Sequence, residues 1–250
     1  MGGSSVRRIP PIVSAGCPRS PPGSIRPVGR RRDERNLAYR IGTLVVGLAF
    51  HLAFRLRYAG VSNVPLEGPA IVAGNHVSAL DGVVLGLAVS ERRKRATRFL
   101  VAAEFFRKRR VGWALRLFRQ IPVRRGERDQ GALDEAIATV RAGALAGIFP
   151  EGKVNPGTGL QPAKRGVARI ALATGAPVVP VGIWGTQDRW PRDGLHLRRP
   201  WRPPLAVTFG PPIEPEGDPA SAEDLRRFLD RVMEGIAEQV EVARALASAR

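Results

Sequence analysis

The chain has 250 residues, enough for one or two domains with a full hydrophobic core. Its single cysteine, Cys17, excludes an intramolecular disulfide, a cysteine-built zinc site and an iron–sulfur cluster. The net charge of +18 is uneven: residues 1–32 hold seven Arg and no acid, residues 91–128 hold 14 basic and three acidic side chains, and the remainder is neutral. An anionic partner for those two stretches is the natural inference.

Residues 1–32 combine six Pro, five Gly and seven Arg without a hydrophobic period, the composition of a disordered basic tail. Their apolar stretch at 9–15 is too short, and too broken by Pro10 and Pro11, to serve as a secretory signal. Residues 33–58 follow, with fourteen positions free of formal charge between Arg40 and Arg55, His51 apart. As a helix they would span about 21 Å at roughly 1.5 Å per residue, against a hydrocarbon core of about 30 Å. The segment therefore reads either as a buried core helix or as a helix lying in a membrane interface with its arginines at headgroup level.

From Pro69 the chain alternates short apolar runs with helical patterns. Strands are predicted at 70–74, 98–102, 120–124, 145–149, 178–183 and 205–209, and helices at 81–90, 110–118, 131–142, 162–174 and 222–246. This alternation predicts one α/β sandwich domain over residues 59–215, its sheet flanked by helices, with a C-terminal helix in 216–250. Residues 184–204, with four Pro and three Trp, read as a long surface loop.

Polar motifs follow several predicted strand ends, where ligands bind in α/β sheets. The first is Asn75-His76-Val77-Ser78, with Asp81 where a helix begins. A carboxylate five residues after a histidine can fold back, accept from one ring nitrogen and leave the other as a base. The same residues also suit a plain helix cap at Asp81 beside a loop histidine. The second motif, Phe149-Pro150-Glu151-Gly152, makes a tight turn that exposes backbone N–H groups and sets a carboxylate at the sheet edge. That carboxylate could take a polyol hydroxyl or a cation, or simply be solvated. The third, Ile121-Pro122-Val123-Arg124-Arg125-Gly126, ends in an Arg pair suited to bidentate phosphate binding or to guarding a sheet edge. A fourth run, Pro177-Val178-Val179-Pro180-Val181-Gly182, is a buried strand without chemistry of its own.

Taken in order and spacing, Asn-His-x-Ser-x-x-Asp, Ile-Pro-Val-x-Arg, Phe-Pro-Glu-Gly and Val-Pro-Val resemble the glycerolipid acyltransferase superfamily. The resemblance is to its bacterial 1-acyl-sn-glycerol-3-phosphate acyltransferase branch, over residues 58 to 212. It implies an α/β sandwich of the glycerol-3-phosphate acyltransferase type, with a mixed sheet. It also implies transfer of a fatty acyl group from a thioester, acyl-CoA or acyl carrier protein, to the free hydroxyl of 1-acyl-glycerol-3-phosphate, giving phosphatidic acid. Attack would be direct, with no bound cofactor, no metal and no covalent enzyme intermediate.

On the same resemblance His76 is the general base and Asp81 orients its ring. Asn75, Ser78, Arg125, Phe149, Pro150, Glu151 and Gly152 form the acceptor site, with Arg125 on the phosphate and Glu151 with Gly152 at the glycerol. Two positions depart from the family pattern. Lys153-Val154-Asn155 follows Gly152 where Thr-Arg-Ser is usual, so Lys153 or Lys164 would have to supply the missing cation, and Arg124 stands where an acid often precedes the arginine. Attachment is expected to be peripheral or monotopic, at the cytoplasmic face of the plasma membrane. The helix in 33–58 would lie at the interface, and the basic clusters 92–95 and 107–110 would face anionic lipid.

Two alternatives remain at this level. One is an acyltransferase for another lysophospholipid or glycolipid. The other is a nucleic-acid-binding protein, against which the basic sector lacks interleaved aromatic platforms and any helix-turn-helix or RNA-recognition signature.

Overall fold

The computed structural model describes residues 35–124, 130–155, 157, 159–190, 194 and 201–249; the basic tail 1–32 and Arg125 lie outside the described residues. Helix α1 (Leu37–Ala53) opens at Asn36, whose side-chain oxygen accepts from the Tyr39 N–H at 2.8 Å. It stops at Phe54, which turns to extended backbone and leads straight into strand β1 (Arg55–Ala59). The expected helical segment 33–58 thus holds a helix and then a strand. The alternation at Arg55-Leu56-Arg57-Tyr58 is too brief to stand apart by period alone. What makes it a strand is its parallel pairing with distant β7 (Pro204–Phe209).

The remaining strands are β2 (Ala70–Gly74), β3 (Thr97–Ala102), β4 (Ile121–Val123), β5 (Leu145–Ile148) and β6 (Val178–Trp184). Among the described residues they form one seven-stranded sheet in the order β1-β7-β6-β2-β5-β3-β4. Neighbours pair in parallel everywhere except β6 with β7, which run antiparallel, so the sheet is mixed. The helices between them are α2 (Asp81–Arg93), α3 (Ala103–Phe106), α4 (Arg109–Leu117), α5 (Gln130–Arg141), α6 (Gly166–Thr174) and α7 (Ala222–Ser248). The four-residue α3 carries too short a pattern to be seen in the sequence. Pro162 and its neighbours run as loop, and α6 begins four residues later than expected.

Side chains alternate across each strand, and the two faces of β2 show what this builds. Ile71 and Ala73 join a core with Ala136 and Val140 of α5, Val167 and Ile170 of α6, and Phe228, Val232 and Ile236 of α7. Ala70 and Val72 point the other way, into a second core with Val84, Leu85 and Ala88 of α2, Phe54, Phe99 and Phe209. Both faces are covered, which is why β2, β5 and β6 read as unbroken apolar runs. Helix α7 belongs to the same sandwich. It crosses β6 so closely that a Cβ on Gly182 would sit 2.0 Å from the Gln239 carbonyl oxygen. Thr208 of β7 donates to that same carbonyl at 2.7 Å.

Helix α1 lies on α2. Gly47 makes the approach possible, since a Cβ there would come within 3.0 Å of Glu91 Oε1. His51 Nε2 sits 3.1 Å from the same oxygen. At the other end the Tyr39 ring meets Phe118, just past α4, edge-on at 5.0 Å. The opposite face of α1 presents Leu37, Ile41, Leu44, Val45, Leu48 and Leu52, each more than half exposed. Among the described residues no helix is long and apolar enough to cross a membrane.

One expectation about the basic clusters is corrected here. Arg95, expected to face lipid with its neighbours, is only 6% exposed and donates to the carbonyls of Pro65, Gly68 and Gly143. It ties together loops at the amino ends of the strands, because a buried guanidinium must fill its donors from the backbone.

Candidate active site

Strands β6, β2 and β5 are neighbours and run parallel, so their carboxyl ends open on one edge of the sheet. Three loops meet there: residues 75–80 after β2, 149–165 after β5, and the short turn Thr186–Asp188 after β6.

The first loop is pinned to the neighbouring strand. Asn75 is buried, donates through Nδ2 to the Ile183 carbonyl at 3.0 Å and accepts at Oδ1 from the Ile183 N–H at 2.8 Å. Its amide thereby continues the β2–β6 ladder one step past the last strand residue. Ser78 is fully buried, donates to the Trp190 carbonyl at 2.6 Å and accepts from the Leu80 N–H at 3.1 Å.

Between these two anchors stand His76 and Asp81. Nδ1 of His76 lies 3.0 Å from Oδ2 of Asp81, and the carboxylate is fully buried while 18% of the imidazole is exposed. The same Oδ2 accepts from the Val77 and Ser78 N–H groups, each at 2.7 Å. Oδ1 accepts from the Thr186 hydroxyl at 2.6 Å. The plain helix-cap reading of Asp81 does not hold, since Leu80 stands at the N-cap of α2 and no side chain caps the helix; Oδ2 instead closes the turn ahead of α2 and faces the histidine. With Asp81 accepting at Nδ1, that nitrogen carries the proton and Nε2 keeps its lone pair. Nε2 has no protein partner among the described residues.

The histidine ring is held from its face as well. Phe149 stacks on it with centroids 4.3 Å apart and planes 13° from parallel, and Phe99 stacks behind Phe149 at 5.6 Å. Gly147 makes room for that second ring, since a Cβ there would fall 2.4 Å from two Phe99 ring carbons.

The loop after β5 grips the backbone of His76. Glu151, only 3% exposed, accepts the His76 N–H at Oε1 (2.9 Å). Its Oε2 accepts from Asn155 Nδ2 and the Gln161 N–H, each at 3.1 Å. Burial pushes the Glu151 carboxyl above its ordinary range, opposed by the hydrogen bonds from His76, Gln161 and Asn155. The Asn155 N–H in turn donates to the His76 carbonyl at 2.6 Å, and Asn155 Nδ2 also reaches the Gly159 carbonyl.

An open cavity of about 390 Å³ is lined by Glu151, Gly152, Lys153, Gln161, Pro162 and Lys164. Gly152 turns here with φ of +70°, where a side chain would be strained and would press on Lys164. Pro150 is buried and its carbonyl accepts from the Lys164 N–H at 2.8 Å. Arg124 is exposed at the end of β4, on the same sheet edge, whereas Arg125 is outside the described residues. Among the described residues no three or more His, Cys, Asp or Glu side chains gather to hold a metal.

Eight of the nine residues singled out from the sequence thus meet at one sheet edge. Thr186, Asn155, Gln161 and Phe99 were not singled out. Thr186 was hidden in a stretch read as loop. Its signal would have been its place two residues past a strand parallel to β2, where a polar side chain meets whatever β2 presents.

The residues match the family model described as "Acyltransferase" over 55–184, slightly more than half the chain. A solved structure, the 1-acyl-sn-glycerophosphate (LPA) acyltransferase PlsC from Thermotoga maritima, superimposes with a TM-score of 0.62 at 29% identity, covering 80% of this chain and 78% of that one. Curated relatives include an uncharacterized protein of Mycobacterium leprae, 33% identical over 149 residues, 55% of this chain and 38% of that protein. Another is the chloroplastic 1-acyl-sn-glycerol-3-phosphate acyltransferase BAT2 of Brassica napus, 30% identical over 158 residues, 62% of this chain and 44% of that enzyme. This chain spans less than half the length of either relative. The family match runs from the start of β1 to the end of β6 and so takes in both loops that hold His76; the chain belongs to the acyltransferase family.

Proposed function

We propose that this protein transfers a fatty acyl group from a thioester, acyl-CoA or acyl carrier protein, to the free hydroxyl of 1-acyl-glycerol-3-phosphate, forming phosphatidic acid. The observation that carries the reading is the 3.0 Å contact between His76 and a fully buried, fully hydrogen-bonded Asp81, with Nε2 unpartnered among the described residues at the carboxyl edge of the sheet. The names of the Thermotoga maritima and Brassica napus proteins support the same substrate class.

Nε2 of His76 takes the proton of the acceptor hydroxyl as its oxygen attacks the thioester carbonyl. The carbonyl becomes tetrahedral, the C–S bond breaks, and the departing thiolate takes the proton back from His76. Asp81 keeps the ring in the productive tautomer and stabilises the imidazolium between the two proton transfers. The acceptor phosphate is met by Arg125 and by Lys153 and Lys164, the two lysines that line the cavity beside Gly152. The lysine pair fills the place left by the arginine that is absent after Gly152.

The enzyme sits on the membrane through the exposed apolar face of α1, which spans about 25 Å at roughly 1.5 Å per residue, too little to cross a core of about 30 Å. Exposed arginines at 109, 110 and 116 on α4, next to α1, add attraction to anionic lipid at the cytoplasmic face of the plasma membrane.

The test is a donor and acceptor panel with purified protein in mixed micelles. Phosphatidic acid from lysophosphatidic acid is the expected product. Product from another lysolipid alone would keep the chemistry and discard the phosphate assignment, and no transfer to any alcohol would discard both.

A further inference from the structure

Glu151 sits where the resemblance calls for a glycerol-binding carboxylate, yet the structure turns it inward. It is 3% exposed, and its two oxygens accept three hydrogen bonds from the protein: His76 N–H, Asn155 Nδ2 and Gln161 N–H. The residue it serves is the proposed base. Glu151 holds the His76 N–H, Asn155 returns a 2.6 Å bond from its own N–H to the His76 carbonyl, and Asn155 Nδ2 joins the two arms. His76 thus has both backbone polar groups bound by one neighbouring loop.

The need for such a grip follows from how the ring is held. The contacts with Asp81 and Phe149 fix the imidazole only if the Cα they start from is fixed too. Asn75, one residue earlier, is locked to β6, and Val77 and Ser78, the next two, are locked to Asp81. Residue 76 would be the loose link between these anchors without the loop after β5. We propose that Glu151 and Asn155 are positioning residues, a two-armed clasp on the backbone of His76 that sets where the base stands relative to the acceptor hydroxyl. This rests on the acyltransferase reading above and gives Glu151 a different part from the glycerol contact that the sequence resemblance implies.

The clasp and a glycerol contact predict different kinetics. Replacing Glu151 by Gln keeps one acceptor oxygen but turns an NH2 towards the Asn155 amide and the Gln161 N–H, donor against donor. A displaced base slows every reaction that needs it. Misplacement by about 1 Å can cost on the order of 100-fold in rate. The experiment compares the full-length enzyme with Glu151→Gln and Asn155→Ala in two assays: acyl transfer to lysophosphatidic acid, and slow thioester hydrolysis without acceptor, in which water supplies the hydroxyl.

Expected for Glu151→Gln is a fall in kcat of about 10- to 100-fold, a matching fall in hydrolysis, and an acceptor KM within about twofold. Asn155→Ala, which keeps its backbone bond to His76, should show the same pattern in weaker form and serves if the Glu151 variant does not fold. A raised acceptor KM with unchanged kcat and unchanged hydrolysis would overturn the proposal and return Glu151 to the substrate.

A readout independent of turnover separates this from failure of the functional reading. In the wild-type protein the His76 amide proton, bonded to a carboxylate, should resonate far downfield and move upfield in Glu151→Gln. An unmoved signal would refute the clasp even if the acceptor panel found no lysolipid substrate.

Discussion

Thr186→Val removes one hydroxyl and leaves the side-chain shape almost unchanged. That hydroxyl donates at 2.6 Å to Oδ1 of Asp81, and both side chains are fully buried. No other donor to Oδ1 is seen among the described residues, whereas Oδ2 takes two backbone N–H groups and faces His76. A hydrogen bond to a charged group contributes about 1.5–3 kcal/mol, and a buried oxygen left without its donor bears that loss in full. For a protein of this size about 2 kcal/mol corresponds to roughly 4–8 °C in Tm. If the same energy is lost from the transition state, where Asp81 must stabilise an imidazolium, kcat falls by up to about 30-fold. Thermal unfolding and acyl transfer to lysophosphatidic acid should be measured on Thr186→Val and Thr186→Ser side by side. The serine variant restores the donor and should recover most of both losses. A valine variant with wild-type Tm and kcat would refute the view that the turn after β6 helps to hold the Asp81 carboxylate.

Four further outcomes are expected. Gly147→Ala places a methyl 2.4 Å from the Phe99 ring and should cost about 1–3 kcal/mol in urea unfolding, with reduced turnover as the Phe99–Phe149–His76 stack shifts. Asn75→Ala cuts two buried hydrogen bonds to Ile183 and should lower stability by about 2–4 kcal/mol on the same assay. The double change Leu44→Glu with Leu48→Glu falls on exposed positions, so stability should stay within about 0.5 kcal/mol. Sedimentation with anionic vesicles should nonetheless drop at least about tenfold, since fully burying each leucine is worth about 1.5–3 kcal/mol. Glu151 should also leave a mark on stability against pH. Burial raises its folded-state pKa, so folding takes up a proton between the ordinary carboxylate range and that raised value. Its contribution is then full below the ordinary range and is lost as pH rises through the raised value. Urea denaturation across that window should show this slope in the wild type and not in Glu151→Gln.

Much of this architecture was legible because β2, β5 and β6 are buried on both faces and so read as unbroken apolar runs ended by Gly, Pro or a polar loop. The strand at residues 70–74 is found where its composition puts it. β1 was not legible, since its identity comes from pairing with β7 nearly 150 residues away rather than from its own four-residue alternation. The site divides in the same way. His76 and Asp81 lie five residues apart, and a local turn brings them together. Thr186 reaches Asp81 across more than a hundred residues, by way of strand order alone. The orientation of Glu151 was likewise beyond the sequence: the turn Phe149-Pro150-Glu151-Gly152 announces a carboxylate at the sheet edge but not whether it faces solvent or the neighbouring loop. Arg95 repeats the lesson, a member of a basic run whose side chain is spent on three backbone carbonyls.

The most direct measurement is phosphatidic acid formation from a labelled acyl thioester and lysophosphatidic acid by the wild type and by His76→Ala, with circular dichroism and Tm recorded on both. A positioned general base contributes about 10²–10⁴-fold, so the variant should be folded and at least about 100-fold slower. A folded His76→Ala protein that forms phosphatidic acid at the wild-type rate would contradict the account.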